Sequence, residues 1–414
     1  HIRAGEYEGM EAKMRLPEWA PDFGPATFNA GAGATVIGAR DFLVAYNINL
    51  NTTSTRRANA IAFDLRESGR STKNPDGTTT TQPGLLKSVK GIGWYIEEYG
   101  IAQVSLNLTN IRDTPVHVAF DTAVKAADAR GIRVTGSELV GLVPLNALLD
   151  AGRYFLEKQQ RSVGVSEAEL VKIAVRSLGL DELAPFDPQE RVIEYKLRQN
   201  DTAATRLVSM SLTALADETA SESPAPGGGS IAAAVGALGA ALGTMVANLS
   251  AHKRGWDDRW AFFSDHAAHG QRRKDALLAL VDADTAAFNR IMAGFGLPNK
   301  TDGEKAARKA AIQEATKGAI ETPLRVMEES LASFDVIEAM VEHGQPSSVT
   351  DAGVGAACAR TAVLGAALNV QVNVADLEDA AFKADALARA ARMLAEAEER
   401  EKAVLAKVRA KLGV

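Results

Sequence analysis

Apolar and polar positions divide the chain into two halves with different periods. In the first half, alternation predicts strands at Phe42–Leu50, Val89–Tyr95, Ala102–Leu108 and Ile132–Val143. Ala58, Ile61, Ala62 and Leu65 recur at helical spacing and predict a helix over Thr55–Ser68, and a second is predicted over Pro115–Arg130. The order strand, helix, strand, strand, helix, strand is the split β-α-β pattern, in which two helices cover one face of a mostly antiparallel or mixed sheet. An α+β domain follows. Ser71–Pro83 reads as a polar loop, Pro144–Gln159 and Ser166–Leu178 as further helices, and Val192–Tyr195 as an added strand. Residues 1–40, rich in Gly and Pro, read as an extended loop, and 196–206 as a polar boundary. Beyond it only helices are expected, at 208–219, 230–250, 257–295, 303–333, 335–343, 351–375 and 377–411, which makes the second half all-α.

The most informative stretch opens that second half. Ser221-Glu-Ser-Pro-Ala-Pro-Gly-Gly-Gly-Ser230 is followed by an Ala/Gly-rich run to Ser250 with no charge after Glu222. Pro224 and Pro226 stop any preceding helix, Gly227, Gly228 and Gly229 free the backbone, and Ser230 can cap the helix that follows. Such a junction is suited to anions. The plainer reading is a flexible linker before a core helix. The run approaches membrane-spanning length, but Ala and Gly dominate where insertion needs Leu, Ile, Phe and Val, so no membrane span is expected. Gly236, Gly239 and Gly243 fall on or near one face, a spacing that admits a second helix at close range.

Periodicity also singles out one carboxylate. Leu277, Val281, Phe288 and Ile291 form an apolar stripe, and Asp284 completes it at i+7 from Leu277. Asp282, two residues earlier, lies about 200° round the helix. An inward carboxyl group has its pKa raised by desolvation and can exchange protons near neutrality. The alternative is a carboxylate held by a cation or a backbone N–H purely for packing. Arg360, Asn369 and Asn373 sit among apolar neighbours in a second Ala/Gly-rich helix and need partners, from a helix or a polar ligand. Lys253-Arg254 and Arg272-Arg273-Lys274 read as solvated surface, with an anionic substrate tail as the alternative.

The net charge of −6 argues against broad nucleic-acid binding. Cys358 is the sole cysteine, so no intramolecular disulfide forms, and a reducing, cytoplasmic setting fits. His266 and His269 are spaced as a metal pair, but without an obvious third ligand no metal is expected. The N-terminus has no apolar signal region. Because it does not begin with Met, either something was removed or the sequence begins inside a longer protein.

Several segments carry a resemblance. Ile2-Arg-Ala-Gly-Glu-Tyr-Glu8, Trp19-Ala-Pro-Asp-Phe-Gly-Pro25, Gly33-Ala-Thr-Val-Ile-Gly-Ala-Arg40, Gly91-Ile-Gly-Trp-Tyr95 and Leu139-Val-Gly-Leu-Val-Pro144 resemble the transferase part of the formimidoyltransferase-cyclodeaminase family of folate and histidine metabolism. Ala225-Pro-Gly-Gly-Gly-Ser230, Val281-Asp-Ala-Asp284 and Ser348-Val-Thr-Asp-Ala-Gly-Val-Gly355 are similar to its cyclodeaminase part. The resemblance implies transfer of a formimino group from N-formimino-glutamate to tetrahydrofolate, then ring closure to 5,10-methenyl-tetrahydrofolate with release of ammonia. It implies Asp284 as the catalytic aspartate, and folate binding by Gly24, Pro25, Ala26, Thr27, Phe28, Asn29, Ala30, Gly31, Ala32 and Gly33. Gly227, Gly228, Gly229, Ser230 and Asp351 become pocket residues, folate (in polyglutamylated form) the ligand, and a homo-oligomer built through the cyclodeaminase helices the assembly.

The implied division is 1–40 for the tail of an N-terminal transferase subdomain with the folate loop, 41–196 for the C-terminal transferase subdomain, 197–206 for a linker and 207–414 for the cyclodeaminase. The family's catalytic His-Pro-Arg is not found in this sequence, so a chain lacking the upstream part of the transferase is expected. Two other readings stay open: a methenyltetrahydrofolate cyclohydrolase-like enzyme, and a non-catalytic folate-binding or oligomerisation module.

Overall fold

The alternation in the first half becomes a four-stranded antiparallel sheet. The computed structural model describes residues 8–35, 37–39, 41–199 and 206–414. Residues 1–7, and most of the expected 197–206 boundary, lie outside these. After a short helix α1 (Met10–Met14) come β1 (Val44–Leu50), α2 (Thr55–Leu65), β2 (Arg70–Lys73), β3 (Thr79–Gln82), β4 (Val89–Ile96), β5 (Ile101–Leu108), α3 (Val116–Asp128) and β6 (Val134–Val140). The main sheet has the order β4-β5-β1-β6, so β1, first in sequence, lies between β5 and β6. Tyr46, Ile48 and Leu50 point from β1 to one face and are fully buried with Ala58, Ile61 and Leu65 of α2 and Ala119 and Ala123 of α3. Each large side chain so buried contributes about 1.5–3 kcal/mol. Helices α4 (Leu145–Lys158), α5 (Glu167–Leu178), α6 (Pro188–Arg191) and α7 (Ile193–Gln199) complete this half.

Two expectations for this half are corrected. Ser71–Pro83 is a hairpin, with β2 and β3 paired from Arg70↔Gln82 to Lys73↔Thr79. Its polarity suggested a loop, yet the Thr run has strand propensity, and Pro75-Asp76-Gly77 makes the turn with Gly77 at φ +83°. Val192 makes a single parallel bridge to Val143, after which the chain turns into α7 rather than a strand.

The second half is helical among the described residues: α8 (Leu212–Thr219), α9 (Gly228–Ala251), α10 (Trp260–Phe295), α11 (Asp302–His343), α12 (Val349–Asn373) and α13 (Ala380–Leu412). Helix α11 runs unbroken past Phe334, where two helices were expected, because Ser333, Phe334, Val336 and Ile337 are all buried and no breaker interrupts them. Helices α9 and α12 touch backbone to backbone. A Cβ on Gly239 would lie 2.9 Å from the Gly355 carbonyl oxygen, and one on Gly355 would lie 3.1 Å from that of Gly239. Both helices are long and apolar enough to cross a membrane, but they form the middle of this bundle, packed on α10, α11 and α13.

A strap after α4 joins the halves. The Ser162 amide donates to His252 Nε2 (3.2 Å), the Val163 amide to Ser264 Oγ (3.0 Å), and Asn248 Nδ2 to the Gly164 carbonyl (2.8 Å). Gly164 is pressed so close to α10 that a Cβ there would sit 2.3 Å from Ala267.

Gly239→Val therefore forces α9 and α12 apart, with an expected loss of about 1–3 kcal/mol read as a lower urea midpoint. The strap is expected to respond to pH. Burial, then the Arg161 charge, holds His252 below its ordinary value of 6.5. The undocked imidazole takes up a proton first, so docking is fully favoured above about 6.5 and weakens as pH falls through that value. Proteolysis within the strap should accelerate on acidification, and should not in His252→Gln, whose amide oxygen accepts the same bond without titrating.

Candidate active site

The first turn of α9 meets α10 across a gap that only glycine leaves open. Gly227 is the residue before α9, in extended conformation, and Gly229 and Ser230 lie in its first turn. A Cβ on Gly229 would fall 2.3 Å from Asp284 Oδ1, so the missing side chain is the space the carboxyl group occupies. Ser230 is fully buried; its hydroxyl lies 2.9 Å from the Val281 carbonyl oxygen and 3.0 Å from Asp284 Oδ2, and its amide also donates to the Asp284 carboxyl. One hydroxyl proton faces two acceptors, so it can bond the carboxylate, or turn to Val281 when Asp284 is protonated and donates to Ser230 Oγ.

Burial pushes the Asp284 carboxyl above the usual carboxylate range, and the hydrogen bonds from Ser230 pull it part of the way back. Among the described residues no Lys, Arg or His makes an ion pair with it within 4 Å. The group faces a cavity of about 130 Å³ whose lining includes Gly227, Gly229, Phe288, Asn369 and Asn373. Asn369 Nδ2 donates to the Gly365 carbonyl and Asn373 Nδ2 to that of Ala319, both at 2.8 Å. A largely buried carboxyl group with a raised pKa and, among the described residues, no ion-pair partner, beside a small polar cavity, is a candidate general acid/base.

Of the residues expected at this site, Asp284, Gly227, Gly229 and Ser230 come together. Gly228 stands beside them, its position for a Cβ 3.5 Å from Asn369 Nδ2. Asp351 does not join them: it lies at the start of α12, 18 residues and roughly 27 Å along the helix from Asn369. Asp282 holds the Leu207 amide at 2.8 Å. Arg360 pairs with Glu401 at 3.0 Å, so its partner is a helix. Gly24 to Gly33 form a largely exposed loop, turned by Asn29 Oδ1 accepting from the amides of Gly31 and Ala32, and none of them lines the Asp284 cavity. Among the described residues no group of three or more His, Cys, Asp or Glu is placed to hold a metal.

Alternation missed a polar cluster on the other face of the sheet. Asn49 and Gln103 are both 0% exposed. Gln103 Nε2 donates to Asn49 Oδ1 at 2.8 Å, Trp94 Nε1 to Gln103 Oε1 at 3.1 Å, and Asn47 Nδ2 to Glu138 at 3.2 Å. The signal was the run Tyr46-Asn-Ile-Asn-Leu, with amides at every outward position.

Comparison with known proteins agrees with both halves. The family model described as formiminotransferase-cyclodeaminase matches residues 211–392, the formiminotransferase domain matches 45–198, and its N-terminal subdomain matches 1–40. A formimidoyltransferase-cyclodeaminase of Gallus gallus is 41% identical over 405 residues, 98% of this chain and 73% of that protein. A methenyltetrahydrofolate cyclohydrolase of Methylorubrum extorquens is 39% identical over 181 residues, 44% of this chain and 87% of that protein. A solved formiminotetrahydrofolate cyclodeaminase of Thermotoga maritima, 24% identical, aligns with a TM-score of 0.42 over 50% of this chain and 96% of that one. The chain belongs to the formiminotransferase-cyclodeaminase family. The expectation of a chain lacking part of the transferase is not borne out, because the N-terminal subdomain is matched as well.

Two outcomes test the electrostatics. Ser230→Ala removes a hydrogen bond to the carboxylate and should move the Asp284 pKa further up, read from its carboxyl-carbon NMR titration. A raised carboxyl pKa means the folded state loses stability as pH rises from about 3.8 through the folded value. Asp284→Asn removes that penalty, so its Tm at neutral pH should exceed that of the parent chain.

Proposed function

We propose that the chain is a folate-dependent bifunctional enzyme of histidine degradation. Its first half transfers the formimino group of N-formimino-L-glutamate to tetrahydrofolate, and its helical half converts 5-formimino-tetrahydrofolate to 5,10-methenyl-tetrahydrofolate and ammonia. The observation that carries the second activity is the uncompensated Asp284 carboxyl at the small cavity. N10 attacks the carbon of the protonated formimino group, whose terminal nitrogen becomes an amine, and gives its own proton to the Asp284 carboxylate. The protonated Asp284 then passes that proton to the terminal amine, the carbon–nitrogen bond breaks, and ammonia leaves with the carboxylate restored. Proton relay by one positioned group supports on the order of 10²–10⁴ in rate.

Gly24–Gly33 supply the folate-binding stretch of the transferase half in this reading, and Gly227–Ser230 one wall of the cyclodeaminase pocket. Polyglutamylated folate is the natural ligand class. Assembly runs through the helical half, where Leu238 and Leu249 of α9 and Val354, Leu368 and Val372 of α12 leave apolar surface exposed. A cytoplasmic setting accords with the free thiol of Cys358.

Asp284→Asn should lower ammonia release by roughly a thousandfold or more while folate binding survives; normal turnover in that variant overturns the assignment. A cyclohydrolase reading has one observation in its favour, the similarity of the helical half to the Methylorubrum extorquens protein. Supplying the purified chain with 5-formimino- and with 5,10-methenyl-tetrahydrofolate decides between them: ammonia release supports the deaminase, and water-dependent loss of methenyl absorbance without ammonia supports the hydrolase.

A further inference from the structure

We infer that Asn369 and Asn373 select the protonated formimino group, their two amide oxygens accepting hydrogen bonds from its terminal nitrogen. The inference rests on the deaminase reading above and deepens it to a specificity element. The two residues are one turn apart on α12 and line the cavity that Asp284 faces. Each Nδ2 is fixed by a backbone carbonyl at 2.8 Å. Turning either amide over would set oxygen against oxygen, so the orientation is locked. No donor within the described residues bonds either Oδ1. The Oδ1 atoms of Asn369 and Asn373 are thus left open as acceptors among the described residues, and Asp284 adds a carboxyl group from α10.

A cavity lined in this way suits a donor-rich cation. An N-substituted formamidine is a strong base, so the bound formimino group carries a positive charge and two N–H bonds on its terminal nitrogen. A formyl group of the same shape has an oxygen there and would meet Asn369 and Asn373 oxygen to oxygen. The methenyl bridge has neither the nitrogen nor its protons. As N10 attacks, the terminal nitrogen becomes an amine and, with the proton from Asp284, an ammonium-like leaving group with three N–H bonds. Two amide oxygens and the carboxyl group are one acceptor for each. A site built to accept from a substrate N–H discriminates strongly against the analogue that lacks it, because its acceptors are then left unpaired.

The test compares 5-formimino-tetrahydrofolate as substrate with 5-formyl-tetrahydrofolate as competitive inhibitor of ammonia release. In the parent chain the formyl compound should inhibit with a constant on the order of a hundredfold above the KM of the formimino substrate. Asn369→Leu and Asn373→Leu should each raise that KM tenfold or more, while the formyl inhibition constant stays within about twofold. A merely structural role would weaken both ligands together. Equal handling of the two ligands by the parent chain, or parallel weakening in the variants, overturns the inference. Because the parent chain alone gives the first comparison, a variant that fails to fold leaves the inference falsifiable. Failure of the parent chain to release ammonia at all overturns the assigned deamination instead, so the two failures are distinguishable.

Discussion

The helical half is organised around a carboxyl group seated where a side chain is missing. Gly229 leaves the volume, the first turn of α9 offers an amide, and α10 supplies Asp284 to fill the space. The arrangement balances two opposed terms. Desolvation disfavours the charged form, while the Ser230 hydrogen bonds and the positive end of α9 favour it. A full ion pair would tip that balance toward a permanent carboxylate with no capacity to shuttle protons. The lack of an ion-pair partner for Asp284 among the described residues is therefore as much part of the arrangement as the residues that line the cavity.

The same economy of side-chain volume shapes the bundle. Gly239 and Gly355 let α9 and α12 meet at backbone distance, so the C-terminal turns of α12 reach the N-terminus of α9 and bring Asn369 and Asn373 to the cavity. Two helices long and apolar enough to cross a membrane pack here on each other and on α11, while Leu238, Leu249, Leu368 and Val372 stay exposed. Their Ala and Gly content lets the two backbones approach.

Much of this was legible in residue patterns, and the limits are physical. Asp284 declared itself because a polar residue interrupted a helical stripe, and the main strands because they alternated. The Thr-rich hairpin did not, since exposed strands lack an apolar face to reveal them. Asn369 and Asn373 were visible as polar residues among alanines, but which atom of each amide is left over depends on the Gly365 carbonyl one turn back for Asn369 and, for Asn373, on the Ala319 carbonyl of α11, which no local pattern supplies. Asp351 shares a sequence segment with pocket-like motifs, yet the length of α12 carries it away. Gly24–Gly33 were picked out by resemblance, and their loop is held by its own Asn29 turn, away from the Asp284 cavity. The strap at Ser162–Gly164 had no sequence signal at all, because its contacts are made by two backbone amides and one backbone carbonyl against side chains 84 to 101 residues later.

That strap bears on how independent the helical half can be. Its groove is finished by another part of the chain: Asn248 Nδ2, His252 Nε2 and Ser264 Oγ are each bonded to the strap backbone. A helical half cut free would open a notch with three stranded polar groups beside the wall that Gly164 now closes. A stand-alone protein of this architecture has to reseal that notch, with water, bulkier residues on α10 or a strap of its own, and the residues that do so would mark where its ancestry diverged from fused chains.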